Sequence, residues 1–207
     1  MNLKISIGFD KSSVEQFLDL SAVRLLLLLG ATGTGKSVLQ THIFRQLADK
    51  NSPEAVGFVF LDMTRTEFVD WGAYLQCPVE YRPVAAIEFL KKVARDGIAP
   101  EKHIFVHIEE CDMFNTDSKA MIAILKEITR TKPNIHIFYS TSRPSPVNAL
   151  PKEILEMADT KIVFEQGSDD DLRHIFGNQM HVSLHDHERI LVQGKRIVQL
   201  CALERIG

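Results

Sequence analysis

Residues 30–37 read Gly-Ala-Thr-Gly-Thr-Gly-Lys-Ser and match the pattern G-x-x-x-x-G-K-[ST] at every fixed position. The chemistry within reach of these residues is the grip of a triphosphate. Gly30, Gly33 and Gly35 permit backbone angles and close approaches that a side chain blocks, so main-chain N–H groups can curl around phosphate oxygens. Lys36 supplies a cation. Ser37 places a hydroxyl where a Mg²⁺ bridging the outer phosphates would sit, and a helix starting here aims the positive end of its dipole at the same anion. The expected nucleotide contacts are Gly30, Ala31, Thr32, Gly33, Thr34, Gly35, Lys36, Ser37 and Val38, and the expected cofactors are ATP and Mg²⁺.

A second chemical element lies at residues 103–112, His-Ile-Phe-Val-His-Ile-Glu-Glu-Cys-Asp, an apolar run ending in adjacent carboxylates. In open α/β sheets ligands gather at the carboxyl ends of strands, which brings Glu109 and Glu110 to the phosphate loop. Consecutive strand side chains point to opposite faces, which suits two distinct jobs. Glu109 is the expected metal residue, together with Ser37, acting through the water shell of the cation. Glu110 is the expected catalytic acid that polarises the attacking water. Asp is the usual residue at the metal position, and Asp112 is close enough in sequence to substitute for Glu109.

These residues need a frame. Apolar runs of strand length alternate with helical patterns, which predicts a mostly parallel sheet with helices on both faces. Strands are expected at 23–29, 56–61, 103–108, 134–140 and 160–165. Helices are expected at 37–50, 83–96, 117–131 and 150–157. A short strand near 4–8 precedes them, and a pair near 190–192 and 197–202, turning at Gln193-Gly194-Lys195, closes the chain. Ser168 followed by three Asp residues predicts an N-capped short helix, with Gly177 as its stop. The acidic run of strand 103–108 is expected to adjoin the phosphate-loop strand. No repeat or low-complexity linker divides the chain, so residues 1–207 are expected to form one domain.

The bulk numbers bound the rest. Net charge is −3, so the chain has no global basic field, and any contact with nucleic acid must be local or pooled across subunits. Three widely spaced cysteines fit neither a disulfide framework nor a zinc pattern and imply a reducing compartment. The five leucines 25–29 are too few to cross a bilayer, and the N-terminus lacks the layout of a signal peptide. A cytoplasmic location without a membrane span of its own is expected.

Several segments together resemble the FtsK/SpoIIIE DNA translocases. Residues 134–144, N-I-H-I-F-Y-S-T-S-R-P, resemble the family strand G-I-H-L-x-L-A-T-Q-R-P. Residues 60–68, F-L-D-M-T-R-T-E-F, are similar to I-D-P-K-x-x-E-L and match it at Asp62 and Glu67. Residues 6–10, S-I-G-F-D, are similar to the L-G-x-D lead-in, and A-D-T-K-I-V-F at 158–164 keeps the family order. The resemblance runs from Ile5 to about Leu200 and covers only the motor core, since the family's membrane-spanning region and winged-helix tail have no counterpart here. It implies a RecA-like P-loop ATPase of the FtsK–HerA group. Members of that group pull double-stranded DNA as rings, usually hexamers, in chromosome translocation, conjugation or genome packaging. A minimal motor, a domain cut from a larger protein and a stand-alone ATPase of a mobile element all fit. A membrane or cargo-anchoring partner is a further implication.

The departures are Ser142 for the family Gln, Thr64 for Lys and Glu109 for Asp. Thr141 and Ser142 are expected to sense the γ-phosphate or the attacking water at the end of a strand neighbouring the phosphate loop. Ser142, shorter than Gln, would work through a bridging water. An arginine acting on a neighbouring subunit's nucleotide is expected among Arg143, Arg130 and Arg65, with Arg143 matching the family position directly. Glu67 with Arg65 reads equally as an interface turn or a solvated loop. His181, His185 and His187 read as a surface loop, Cys111 as a small residue beside the sheet, and Trp71 with Phe68 and Tyr74 as packing. Two rival functions remain: a small-molecule P-loop kinase, for which the chain lacks the usual arginine-rich lid segment, and a nucleotide-dependent assembly switch with weak hydrolysis. The motor reading further requires basic residues gathered on one face.

Overall fold

The computed structural model describes residues 1–62, 71–109, 118–142, 144, 150–177, 184 and 188–201. Its nine strands and five helices among those residues run in the order β1 (Lys4–Phe9), β2 (Glu15–Asp19), β3 (Leu25–Leu29), α1 (Lys36–Lys50), β4 (Val56–Asp62), α2 (Pro83–Asp96), β5 (His103–Glu109), α3 (Ser118–Thr131), β6 (Ile135–Thr141), α4 (Lys152–Met157), β7 (Thr160–Phe164), α5 (Asp169–Phe176), β8 (Arg189–Gln193) and β9 (Arg196–Leu200). The expected elements form where the apolar periodicity places them. Strand β2 is the addition, pairing antiparallel with β1.

Seven strands make the main sheet in the order β4-β5-β6-β3-β7-β8-β9. The first five are parallel, and β8 and β9 append an antiparallel hairpin. Position in the sheet explains composition. β3 is flanked by β6 and β7 and covered on both faces, so all five of its leucines are fully buried. Each such leucine contributes about 2 kcal/mol of apolar burial. β4 and β6 are likewise buried along their whole length.

The two faces are built differently. One carries an aliphatic core in which Leu25, Leu27 and Leu29 meet Leu90, Val93, Leu125, Ile128 and Ile154 from α2, α3 and α4. The other lies under α1 and is rich in aromatics: the Phe44 ring sits 5.0 Å from both Phe58 and Phe60 and 5.5 Å from Phe138, all at steep interplanar angles. Trp71 and Tyr74 join this face, with Tyr74 stacked on Phe58, so they serve in packing as expected. They do so around a 3₁₀ turn at Gly72–Tyr74 instead of an α-helical stripe.

The outer edge of β4 is partly covered by an irregular segment: Gln76 N–H donates to Phe58 O, Glu80 N–H to Phe60 O, and Asp62 N–H to Glu80 O. At the other end β1 is tied to α1 by reciprocal bonds between Gln46 and the Ser6 backbone. The buried Arg189 guanidinium donates to Ile7 O at 2.6 Å and Cys201 O at 2.8 Å, joining the first strand to the last. No helix among the described residues is long and apolar enough to cross a membrane.

Candidate nucleotide-binding site

The phosphate loop joins β3 to α1 and is fastened on both sides. Gly30 N–H donates to Thr141 O of β6 at 3.3 Å, and Ala31 N–H donates to Glu165 O beyond β7 at 2.8 Å. Gln166 Nε2 donates to Leu29 O and Phe164 O, closing the β7 side. Gly30 is required by space, because a Cβ there would lie 2.6 Å from Phe164 Cβ. Gly33 and Gly35 are required by conformation, with φ of 84° and 98° in the left-handed region. Gly35 caps α1 without a side chain, so the helix start is left to an incoming anion. Leu39 N–H makes the first intrahelical bond, to Gly35 O, and the amides of Lys36, Ser37 and Val38 precede it.

Lys36 is 6% exposed, and its ammonium donates to Gly30 O at 2.8 Å and Ala31 O at 3.0 Å. Those carbonyl oxygens stand where phosphate oxygens would compete for the cation. Thr34 is buried and folds its hydroxyl onto Ala31 O. Thr32, Gly33 and Val38 are exposed, and Ala31, Gly35 and Ser37 are half-buried. The nine expected nucleotide contacts therefore share one loop and one helix start.

Glu109 ends β5 and is 7% exposed. Its Oε2 accepts from His107 Nε2 at 2.8 Å and Gln40 Nε2 at 3.2 Å, and its Oε1 accepts from Ser140 Oγ at 3.3 Å. Burial works to raise the carboxyl. The hydrogen bond and charge of the neighbouring His107, the Gln40 amide and the Lys36 charge outweigh it and hold the group below the usual carboxylate range. Asp62, 1% exposed, pairs with Glu109 in the β4–β5 register and so faces the same side. Asp62, Glu109 and Ser140 thus form a polar row across three strand ends beneath α1.

One expectation is corrected. β5 does not adjoin the phosphate-loop strand, because β6 lies between them: Ile108 pairs with Tyr139, and Ser140 with Leu28. Glu109 therefore approaches the loop from two strand spacings away, about 10 Å, and the α1 side chains span the gap. β6 does neighbour β3 as expected. Thr141 sits beside Leu29, fully buried, with its carbonyl bound to the Gly30 amide, and Ser142 follows, half-buried.

Glu110 and Arg143 lie outside the described residues, as do Thr64, Arg65, Glu67, Phe68, Cys111, Asp112, His181, His185 and His187. Arg130 lies in the last turn of α3, paired with Glu127 at 2.9 Å and facing solvent. Gln40, His107 and Ser140 escaped the sequence reading. Their signal was positional: Gln40 is one helical turn beyond Lys36, and His107 is two residues before Glu109 on the same strand face.

Ser37 and Glu109 are hard oxygen donors of the kind Mg²⁺ accepts, and the long Ser140 bond leaves Oε1 capacity for a metal-bound water. Among the described residues no cluster of three His, Cys, Asp or Glu side chains forms a cage. Substrate oxygens would therefore complete such a site.

A mostly parallel sheet with a phosphate loop at its centre, set between a strand and a helix, defines the P-loop nucleotide-binding fold. Residues 1–95 match the model of the FtsK/SpoIIIE family. The chain is 26% identical to the DNA translocase FtsK of Leptospira interrogans serogroup Icterohaemorrhagiae serovar copenhageni, over 83% of this chain and 23% of that protein. The chain thus spans about a quarter of that relative's length. The pCW3 conjugation coupling protein TcpA, in its monomer form with ATPγS, superposes with a TM-score of 0.74 at 16% identity, covering 97% of this chain and 65% of TcpA. The genome-packaging NTPase B204 of Sulfolobus turreted icosahedral virus 2, in complex with ATPγS, gives 0.65 at 14% identity, covering 90% of this chain and all of B204.

Proposed function

We propose that the protein is a cytoplasmic ATP-hydrolysing motor that moves double-stranded DNA, working as a homo-oligomeric ring, with residues 1–207 as one motor domain. The observation that carries this reading is the pairing of a fastened phosphate loop with an ionised, buried Glu109 at the same end of the sheet, in a chain of FtsK/SpoIIIE type. The loop amides and Lys36 bind and orient the triphosphate. Ser37 and Glu109 would hold Mg²⁺, which when bound neutralises charge on the phosphate oxygens. Glu110 orients the attacking water, Thr141 and Ser142 sense the γ-phosphate, and an arginine from a neighbouring subunit, Arg143, Arg130 or Arg65, completes the charge balance. DNA contact through phosphates makes affinity salt-sensitive and sequence-independent. The test is the ATPase rate with and without double-stranded DNA, alongside particle mass with ATPγS. Stimulation by DNA and a ring-sized particle support the reading, and an unstimulated monomer overturns it.

A second reading rests on one observation: Oε2 of Glu109 is already engaged by His107 and Gln40. A nucleotide-dependent assembly switch with weak hydrolysis needs an acid that holds structure more than it turns over substrate. Equal, negligible turnover in the unaltered chain and Glu110→Gln, with nucleotide-dependent assembly kept, selects the switch.

A further inference from the structure

A glutamate at the end of β5 is longer by one methylene than the aspartate usual at such a strand end, and the surrounding side chains accommodate that length in a specific way. Two donors converge on one oxygen. His107 reaches Oε2 along the strand, from two residues before Glu109, and Gln40 reaches the same oxygen from α1 above. All three side chains are buried, at 1% exposure for Gln40, 0% for His107 and 7% for Glu109. The His107 ring packs edge-on against Phe44 and Phe60, at 6.1 and 6.2 Å between centroids, so the aromatic face holds the donor in place. Among the described residues the buried Gln40 Oε1 has no hydrogen-bond partner, while its Nε2 donates to Glu109. The other carboxylate oxygen, Oε1, lies on the β6 side, where Ser140 donates to it, and β6 is the strand that separates β5 from the phosphate loop.

We propose that Gln40 and His107 are positioning residues for the ATPase reaction: by pinning Oε2 of Glu109 they aim Oε1 towards β6 and the phosphate loop, so that a glutamate works where an aspartate would otherwise stand. The proposal rests on the ATPase reading above. Its geometry also links the loop to the acid mechanically, since Lys36 and Gln40 occupy one face of α1 a single turn apart. A carboxylate set in place by two donors needs no reorientation when nucleotide arrives.

The test is a comparison of Glu109 with Glu109→Asp in two backgrounds, the unaltered chain and Gln40→Leu/His107→Val. In the unaltered chain the shorter acid cannot keep both donors and reach the site. Glu109→Asp is therefore expected to lower kcat about tenfold with KM for ATP nearly unchanged. In the double variant the unpinned glutamate loses its advantage, and the Glu/Asp ratio of kcat falls to about one or inverts. A second readout is calorimetric: the gain in ATPγS affinity on replacing EDTA with Mg²⁺ should follow the same pattern, shrinking for Glu109→Asp only when Gln40 and His107 are present. Should the double variant fail to fold, by circular dichroism and thermal melting, Gln40→Leu alone carries the same comparison. A Glu/Asp ratio that is equal in both backgrounds overturns the positioning role while leaving the ATPase reading intact. An unaltered chain that takes up no nucleotide overturns both.

Discussion

Strand β5 ends in histidines used in opposite ways. At its carboxyl end His107 donates to a buried carboxylate that stays ionised next to Lys36. At its amino end His103 Nδ1 lies 2.7 Å from His136 Nε2, and His136 Nδ1 lies 2.6 Å from Val23 O. This second chain admits one consistent proton order: His136 donates to the carbonyl and accepts from His103, with both rings neutral. Burial pushes His136 down to about 4, against the pull of the Val23 carbonyl and with help from Arg24 and from His103 once that ring is protonated. Phe105 stacks on the His136 ring at 4.8 Å, completing an apolar cover. The same residue type therefore supports charge where the sheet meets the phosphate loop and excludes it at the far end. His107 and His136 are buried alike, at 0% and 1% exposure, so the difference between them lies in the partner each meets.

Removing the charge at the loop should have the largest effect. Lys36→Ala deletes the ammonium held by Gly30 and Ala31, and its ATPγS affinity, measured by calorimetry, is expected to fall at least about a hundredfold. Acidification tests the opposite end. Because the folded-state value of His136 lies below the ordinary histidine value, its stabilising contribution is complete above about pH 6.5 and is lost as pH falls towards 4, by up to about 3 kcal/mol. Urea unfolding across that window should show this slope, and His136→Leu should flatten it while leaving turnover per folded molecule unchanged. Gly30→Ala sharpens the comparison at the loop: its new Cβ meets Phe164, so a stability loss of about 2 kcal/mol is expected in denaturant titration. The smallest effect belongs to Arg130→Ala. Its exposed pair with Glu127 predicts an unchanged melting temperature, and a loss of turnover confined to the assembled form would identify it as the arginine acting between subunits.

Much of this frame was legible beforehand, for identifiable reasons. Buried parallel strands are unbroken apolar runs, so residues 23–29, 56–61 and 134–140 announced themselves, the first of them forming at Leu25–Leu29, and Ser168 and Gly177 marked the ends of α5. Strand β2 was hidden because Glu-Gln-Phe-Leu-Asp buries a single residue and so carries no period. The insertion of β6 between β3 and β5 was also hidden, since periodicity predicts elements and not their lateral order. At the site, the loop could be read from its glycines, Lys36 and Ser37. Gln40 and His107 were missed because a polar residue inside an apolar pattern is silent until its partner is known. Both lay at the correct spacing from residues already singled out, one helical turn from Lys36 and one strand repeat from Glu109.

The carbonyl grip on Lys36 has a kinetic consequence. An ammonium already stripped of most of its water and parked on Gly30 and Ala31 does not have to be dehydrated when a triphosphate arrives; it changes acceptors. On the proposed ATPase reading, departure of the product would return it to the same resting berth, and the loop would begin each cycle from one defined conformation.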